Sequence, residues 1–523
     1  MTRSRSSEIR SNGAPRRALP AAAATAATIA TVAAIVGPPF LAAIAILASF
    51  AALAALAPST AGARPDDAPT HRIHLPLVAR ALDRRDLAPP VAALPTSPPT
   101  DAPPATDVPL PTSPPPPTPT AAACKPLSER IHVATSDVGA PLRANDEYFP
   151  LPVAPRADGG SLVAWRDARS AMVRVGTFDA DGALIGAPLS FAAEEVHAIV
   201  ADADGGGGGA LAVVDNDPDI YSAKYCRGPS TSDKALCGKM DVWRFDAAGK
   251  TVWRRTVTGK TNVDHDGAEF IWWYQHTARL VWTGQEYGLY YRNADSSPRP
   301  GVAGEIDIHA ADAFRVLSKD GDILTHAWRW GCSHSWAVRL AFDGNGRFGT
   351  ACHGDAYPNA FHVVVADRDR QFGEATIEEN VDPTKRALGG LVAADGGFWL
   401  SYQSEDAGTM RLHLARIDDD GAVRSDDVLA AATGLPTAYP FRPYLAAYGD
   451  GQLLAGWRSG GRLQLAVLDG STGALVEGPI DTALEIDNWN EFVSYPGGDG
   501  DVGWAWASVG GTMVTMVRVG GCR

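Results

Sequence analysis

The chain reads as an all-β protein built from seven four-stranded repeats, and three observations carry that reading. A short phrase recurs seven times between residues 150 and 510: an apolar run, a Gly/Asp turn, then a second apolar run followed by polar residues. The second runs end at Trp165, Val214, Tyr291, Cys352, Tyr402, Trp457 and Trp506, so successive ends lie 49, 77, 61, 50, 55 and 49 residues apart. The turns, from Asp158-Gly159-Gly160 to Gly497-Gly498-Asp499-Gly500, use residues that tolerate the positive φ of tight hairpins.

Taken in order, each repeat supplies four strands, A to D: a hairpin, a variable loop and a second hairpin. Strands A and B flank the recurrent Gly/Asp turn. Strand C alternates visibly in Leu412-His413-Leu414 and Leu463-Gln464-Leu465-Ala466-Val467, as a half-buried strand should. It then runs into a second tight turn, as at Phe178-Asp179-Ala180-Asp181-Gly182 and Ile417-Asp418-Asp419-Asp420-Gly421. These acidic turns are read as turn chemistry rather than calcium loops, because the downstream bidentate Glu is missing. The seventh repeat stops at Met513–Val519 without a fourth strand, whereas Arg130-Ile131-His132-Val133-Ala134-Thr135 is a strand without a hairpin partner. The early strand is therefore expected to complete the last repeat.

A period near fifty made of paired hairpins resembles the β-propeller class over residues 125–523. The resemblance implies a seven-bladed ring closed by the N-terminal strand. The Asp-box of sialidases, the WD dipeptide and the kelch diglycine are all absent, so no particular family is indicated. Ring closure would bring Cys124 to Cys522; Cys226–Cys237 would tie a long loop, and Cys332–Cys352 would cross the base of blade 4. Six cysteines in even number suit an oxidising compartment.

Ahead of the repeats lie two other regions. Residues 1–63 carry Arg3, Arg5, Arg10, Arg16 and Arg17 against Glu8, then an uncharged stretch from 18 to 63 that breaks at Gly37-Pro38-Pro39. Basic flank and apolar run read as an export signal or a membrane anchor, with Ala61-Gly62-Ala63 offering a cleavage site. Residues 64–123 form a linker whose 86–123 portion holds fourteen prolines. That composition favours polyproline II and a stalk on the order of 100 Å. The expectation is an exported, envelope-tethered propeller over residues 124–523.

The N-terminal 63 residues hold a net +4, which leaves −18 on the remainder of a chain whose formal charge is −14. An acidic body excludes a phosphate-backbone partner, since nucleic-acid binding rests on clustered Lys and Arg. Oligomeric state is not legible.

In a four-stranded blade the A–B and C–D turns share one face, and the B–C and D–A loops share the other. All the length variation falls on the second face, notably from Asp215 to Met240 and from Arg292 to His309. Variable loops on a rigid scaffold are where binding usually resides. The polar residues following strand B form a rim: Arg166, Asp215, Arg292, His353, Asp355, Gln403 and Arg458. Those entering strand A lie nearer the axis: Glu194, Glu195, Asp264, Asp266, Arg386, Arg442, Trp489 and Glu491. His276 and His334, each preceding an Arg-Leu pair, are expected at equivalent rim positions, with Trp273 and Tyr357 as aromatic surface. Rings beside acids and arginines suit sugar recognition, the apolar sugar faces stacking and the hydroxyls bonding to charge.

Two other chemistries are weighed. Asp215, Asp217 and Asp219 have the alternate-acid spacing that opens an oxygen-lined calcium loop, making calcium a possible ligand. Paired carboxylates such as Glu194 and Glu195 with Asp264 or Glu491 would serve a glycan hydrolase or lyase if their separation fitted. Arg166, Arg292 and Arg458 on one rim are similar, loosely, to the carboxylate clamp of sialidases. No nucleophile elbow or phosphate-binding glycine loop occurs. The reading adopted is ligand binding without catalysis, most plausibly of a glycan or cell-surface polymer; hydrolase, lyase and protein-interaction module are the alternatives.

Overall fold

The computed structural model describes residues 124–144, 150–202, 207–216, 237–260, 267–272, 276–303, 306–328, 331–356, 358–394, 396–437, 441–496, 500–508 and 510–522. The apolar N-terminal segment and the proline-rich linker lie outside them. Among the described residues no helix is long and apolar enough to cross a membrane.

Seven antiparallel sheets follow one another along the chain. Blade 1 runs Val153–Pro155, Ser161–Asp167, Val173–Phe178 and Leu184–Phe191; blade 2 runs Glu195–Ala201, Gly209–Asn216, Gly238–Phe245 and Thr251–Thr256. Blade 3 is Ala278–Trp282, Glu286–Pro298, Ile306–Ser318 and Ile323–Trp328; blade 4 is Ala337–Phe342, Phe348–His353, Phe361–Ala366 and Gln371–Ile377. Blades 5 and 6 begin at Arg386–Ala394 and Tyr444–Tyr448 and end at Val423–Val428 and Leu475–Thr482. Blade 7 is Val493–Ser494, Val502–Ala507 and Met513–Val519, completed by Ile131–Asp137.

The closure is the one the unpaired strand implied. Ile131–Asp137 lies antiparallel to Met513–Val519, with Ile131 opposite Val519 and Asp137 opposite Met513. Cys124 and Cys522 are bonded, their Cα atoms 5.5 Å apart. Blade 6 adds its own fastening, since Arg130 donates to the Tyr448 hydroxyl at 2.6 Å and pairs with Glu477.

Burial explains the strand sequences. Strand B of blade 1 is buried along almost its whole length, whereas strand D of blade 2 is exposed or half-buried throughout. A strand packed on both faces must be a continuous apolar run, which is why the B strands stood out. Trp165, Trp399, Trp457 and Trp504 are the largest fully buried side chains; a ring of ~200 Å² returns a gross stabilisation on the order of 5 kcal/mol.

The C–D turns confirm turn chemistry. Asp179 Oδ1 accepts from the N–H groups of Asp181 and Ala183, and Asp246 and Asp418 do the same in their turns. Gly182, Gly249, Gly321 and Gly421 close these turns at φ between +75° and +86°, where a Cβ would be strained.

Blade 3 departs from expectation. The stretch from Arg292 to His309 is mostly not an irregular loop: strands B and C each run 13 residues, in register from Glu286–Ser318 out to Pro298–Ile306. Strand Ala268–Phe270 pairs with this extension at Ser296–Ala294. Apolar and β-compatible residues continue on both arms (Ala294, Ile308, Ala310, Ala311), so the ladder has no reason to stop at the blade's edge.

Candidate functional site

The innermost strands bring a charged cluster together at the loop end of the ring. Arg279 and Arg339 occupy the A strands of adjacent blades 3 and 4, and the Nε of each lies 2.7 Å from Glu491 Oε1, just ahead of blade 7. These contacts are ion pairs by distance, without hydrogen-bond alignment at Nε. Both guanidiniums are nearly buried, whereas the Glu491 side chain is 30 % exposed. Desolvation alone would push Glu491 up; Arg279, Arg339 and Arg442 outweigh it and hold the carboxyl below its ordinary range. Desolvation brings Arg339 down to about 9, with Arg279 and Arg442 adding to the fall and Glu491 opposing it. Arg442 stacks 4.0 Å from the Trp489 ring, a half-buried indole two residues from Glu491.

A second cluster joins blades 2 and 3. Glu195 and His197 lie at the start of strand A of blade 2, where the ladder slips by one residue at His197, between Val196 and Ala198. His197 Nε2 lies 3.1 Å and His276 Nδ1 2.5 Å from Glu195 Oε2. The rings are 6.2 Å apart, and the His197 and His276 side chains are 1 % and 5 % exposed. Against desolvation, the two histidines pull Glu195 down to about 2. Desolvation lowers His197, with His276 and Arg279 assisting and Glu195 opposing.

Other buried groups are structural fastenings. Arg386 donates to His353 Nε2 at 3.0 Å, Gly354 O at 2.7 Å and Glu378 O at 2.5 Å, and also to Asn359. Glu269 and Arg315, both 0 % exposed, pair at 2.6 Å, and Glu269 also accepts from Tyr291 Oη and Asn293 Nδ2. Desolvation raises Asp312, also fully buried, to about 7; Tyr290, the Cys332 N–H, Ser335 and Arg292 oppose the rise.

The described rim residues nominated from sequence meet different partners. Arg166 donates to the carbonyls of Asp167 and Met172, Arg458 serves Ile486 O and Glu485, and Arg292 is buried at 3 % exposure beside Thr277. Each of the three is thus engaged by neighbours of its own. His353 is fully buried, accepting from Arg386 between Trp336 and Phe361. His334 is 46 % exposed and pairs with Asp355 at 3.0 Å, whereas His276 is buried against Glu195, so the two histidines are not equivalent. Asp215 pairs with Arg254 and accepts from Glu194 N at 2.7 Å, which occupies the carboxylate offered for calcium. Asp217, Asp219, Asp264, Asp266, Trp273, Tyr357 and Cys226 lie outside the described residues. Cys332–Cys352 is formed, with Cα atoms 6.0 Å apart, and Cys237 is disulfide-bonded.

Arg279, Arg339 and His197 were not nominated as contacts. The signal available was a lone Arg at the same place in neighbouring apolar strands, Ala278-Arg279-Leu280 and Val338-Arg339-Leu340. Concavities also occur on the opposite face. One of 340 Å³ lies between Gln285, Glu286, Gly344 and Arg368, and one of 460 Å³ among the A–B turns of blades 4 to 6.

No family model and no curated protein matches this chain. Several solved structures are similar to it at low identity. Hydrazine synthase from Kuenenia stuttgartiensis is 11 % identical with a TM-score of 0.43, over 73 % of this chain and 98 % of that one. The β-propeller domain of the trilobed protease from Pyrococcus furiosus is 10 % identical with a TM-score of 0.34, over 62 % and 79 %. The six-bladed, fucose-recognising Aleuria aurantia lectin is 11 % identical with a TM-score of 0.33, over 68 % and 98 %. The class of the chain rests on its own seven sheets and their closure: it is a seven-bladed β-propeller.

Proposed function

We propose that this protein is an exported, envelope-tethered propeller that binds a glycan or surface polymer at the loop end of its axis. The observation that carries the reading is Glu491, a part-exposed carboxylate held ionised by two guanidiniums 2.7 Å away, two residues from the half-buried Trp489. A fixed, ionised acceptor beside an indole matches what a sugar offers, hydroxyl donors at its edge and an apolar face. Export and tethering rest on the basic, apolar and proline-rich N-terminal regions.

The test is binding of the full chain to an array of neutral and acidic glycans. Selective binding that falls at least tenfold in Trp489→Ala and in Glu491→Gln, each still folded by circular dichroism, is the expected result. Absence of binding, or binding indifferent to both changes, overturns it.

The hydrolase or lyase alternative has one observation in its favour. Desolvation, Asp215 and Glu195 raise Glu194, while Glu195 beside it is depressed to about 2, and divergent neighbouring carboxyls mark acid and base roles. Glu194 lies in the bend ahead of the strand and accepts from Asn216, whereas Glu195 is engaged by His197 and His276. Release of reducing ends from any array ligand by the wild type, but not by Glu194→Gln, would favour the alternative.

A further inference from the structure

We propose that Glu195, His197 and His276 form a binding site for one divalent transition-metal ion, with Zn²⁺ the best fit. His197 Nε2, His276 Nδ1 and a carboxylate oxygen of Glu195 all lie within 4.8 Å of one another. Tetrahedral zinc with bonds of about 2.0–2.1 Å sets its ligand atoms roughly 3.3 Å apart, so small side-chain adjustments accommodate an ion. Two imidazoles and one carboxylate select a first-row ion over calcium or magnesium, which take oxygen ligands.

Glu195 and His197 stand two residues apart at the start of one strand, with a register slip at His197 between them and the rest of the ladder, and His276 leads into the A strand of the adjacent blade. The rings are buried and the carboxylate is 13 % exposed, so the ion would be sheltered from bulk water. Three protein ligands leave one coordination position, as zinc sites that bind an exogenous ligand do. The proposal is independent of glycan binding: it needs neither Glu491 nor Trp489.

The experiment titrates chelator-treated full chain with Zn²⁺ by calorimetry, with bound metal counted by elemental analysis. The expected result is one equivalent bound, with affinity falling at least tenfold in Glu195→Gln and in His276→Ala. His413→Ala serves as the control, since Glu378, His413 and Asp426 form another metal-sized cluster, and it should leave stoichiometry and affinity unchanged. No stoichiometric zinc, zinc binding indifferent to both substitutions, or equal loss in His413→Ala would each overturn the proposal. Should a variant fail to fold, Cu²⁺ bound to the wild type gives the answer. Its paramagnetic resonance spectrum should show coupling to two imidazole nitrogens, and its lack would overturn the assignment.

Discussion

At the turn end of the ring, Asp179, Asp246, Asp343 and Asp418 each accept two backbone N–H groups from residues two and four places on. At the loop end the answering groups come from far along the chain. Glu269 meets Arg315 46 residues on, Glu195 meets His276 81 residues on, and Glu491 meets arginines of two other blades. The acids of the first end are satisfied within their own turns and tolerate water; those of the second are satisfied across strands and blades, largely out of water. A failed contact should therefore be cheap at one end and expensive at the other.

The largest effect expected is at Glu269. Replacing it with Ala takes away the carboxylate 2.6 Å from the Arg315 guanidinium, 0 % exposed, with Asp295 left to answer part of the charge; breaking such a buried pair costs about 3–5 kcal/mol. Denaturant unfolding should show that loss, and Glu269→Leu with Arg315→Met should recover most of it. Loss below about 1 kcal/mol in the single variant would break the contrast between the two ends.

Asp312 comes next and is read through pH. Its folded pKa is raised to about 7 by desolvation, opposed by Tyr290 and the Cys332 N–H. A carboxyl raised in the fold contributes stability that is fully present below its unfolded pKa, about 3.9, and is lost as pH rises through the folded value. Wild type should accordingly lose on the order of 3 kcal/mol relative to Asp312→Asn between pH 4 and pH 8. Glu195, depressed to about 2, has the opposite sign: its contribution is present above the unfolded value and lost as pH falls towards 2. Parallel stability–pH curves for wild type and Asp312→Asn would show that the buried carboxyl is not perturbed.

Ring closure joins the first and last strands of the propeller without belonging to either face. Cys124→Ser removes a bridge spanning 398 residues and should cost about 2–4 kcal/mol. The paired strands Ile131–Asp137 and Met513–Val519 should stay together without it. A variant that unfolds only at its ring junction, seen as faster amide exchange confined to those strands, would show closure to be the weakest seam.

This geography also sets what could be read from sequence. The turns were legible because an Asp and the N–H groups it captures sit within four residues, and the B strands because double-sided burial leaves an apolar run. The missing fourth strand was legible because Met513–Val519 had no successor and Ile131–Asp137 no partner. Arg292, His353 and Arg386 were legible as polar residues at strand ends but not as buried fastenings, because what buries them arrives from other strands. The Glu195–His197–His276 contact is the clearest case: its two halves lie 81 residues apart, and no local pattern joins Glu195-Val196-His197 to His276. The extended hairpin of blade 3 was misread as irregular because Asp295, Ser296, Ser297 and Pro298 resemble loop composition. Pairing with Asp307 and its neighbours supplies the ladder bonds that the composition conceals.

The smallest effect should come from the turn end. Asp418 Oδ1 accepts from Asp420 N at 3.0 Å and Ala422 N at 2.7 Å, and its other oxygen pairs with the exposed Arg424. In Asp418→Ala both N–H groups remain near the surface, where water replaces the lost acceptor, so the cost should be about 1 kcal/mol. The exposed ion pair adds little, and the hairpin keeps its shape because Gly421 at φ +78° still fits the turn. A loss above about 3 kcal/mol would mean that this turn is coupled to its neighbours. The route would be Gly373, whose carbonyl oxygen stands 2.8 Å from a Cβ built on Gly421. The turn end would then be as interdependent as the mouth, and local satisfaction would be a property of hydrogen bonds without being one of stability.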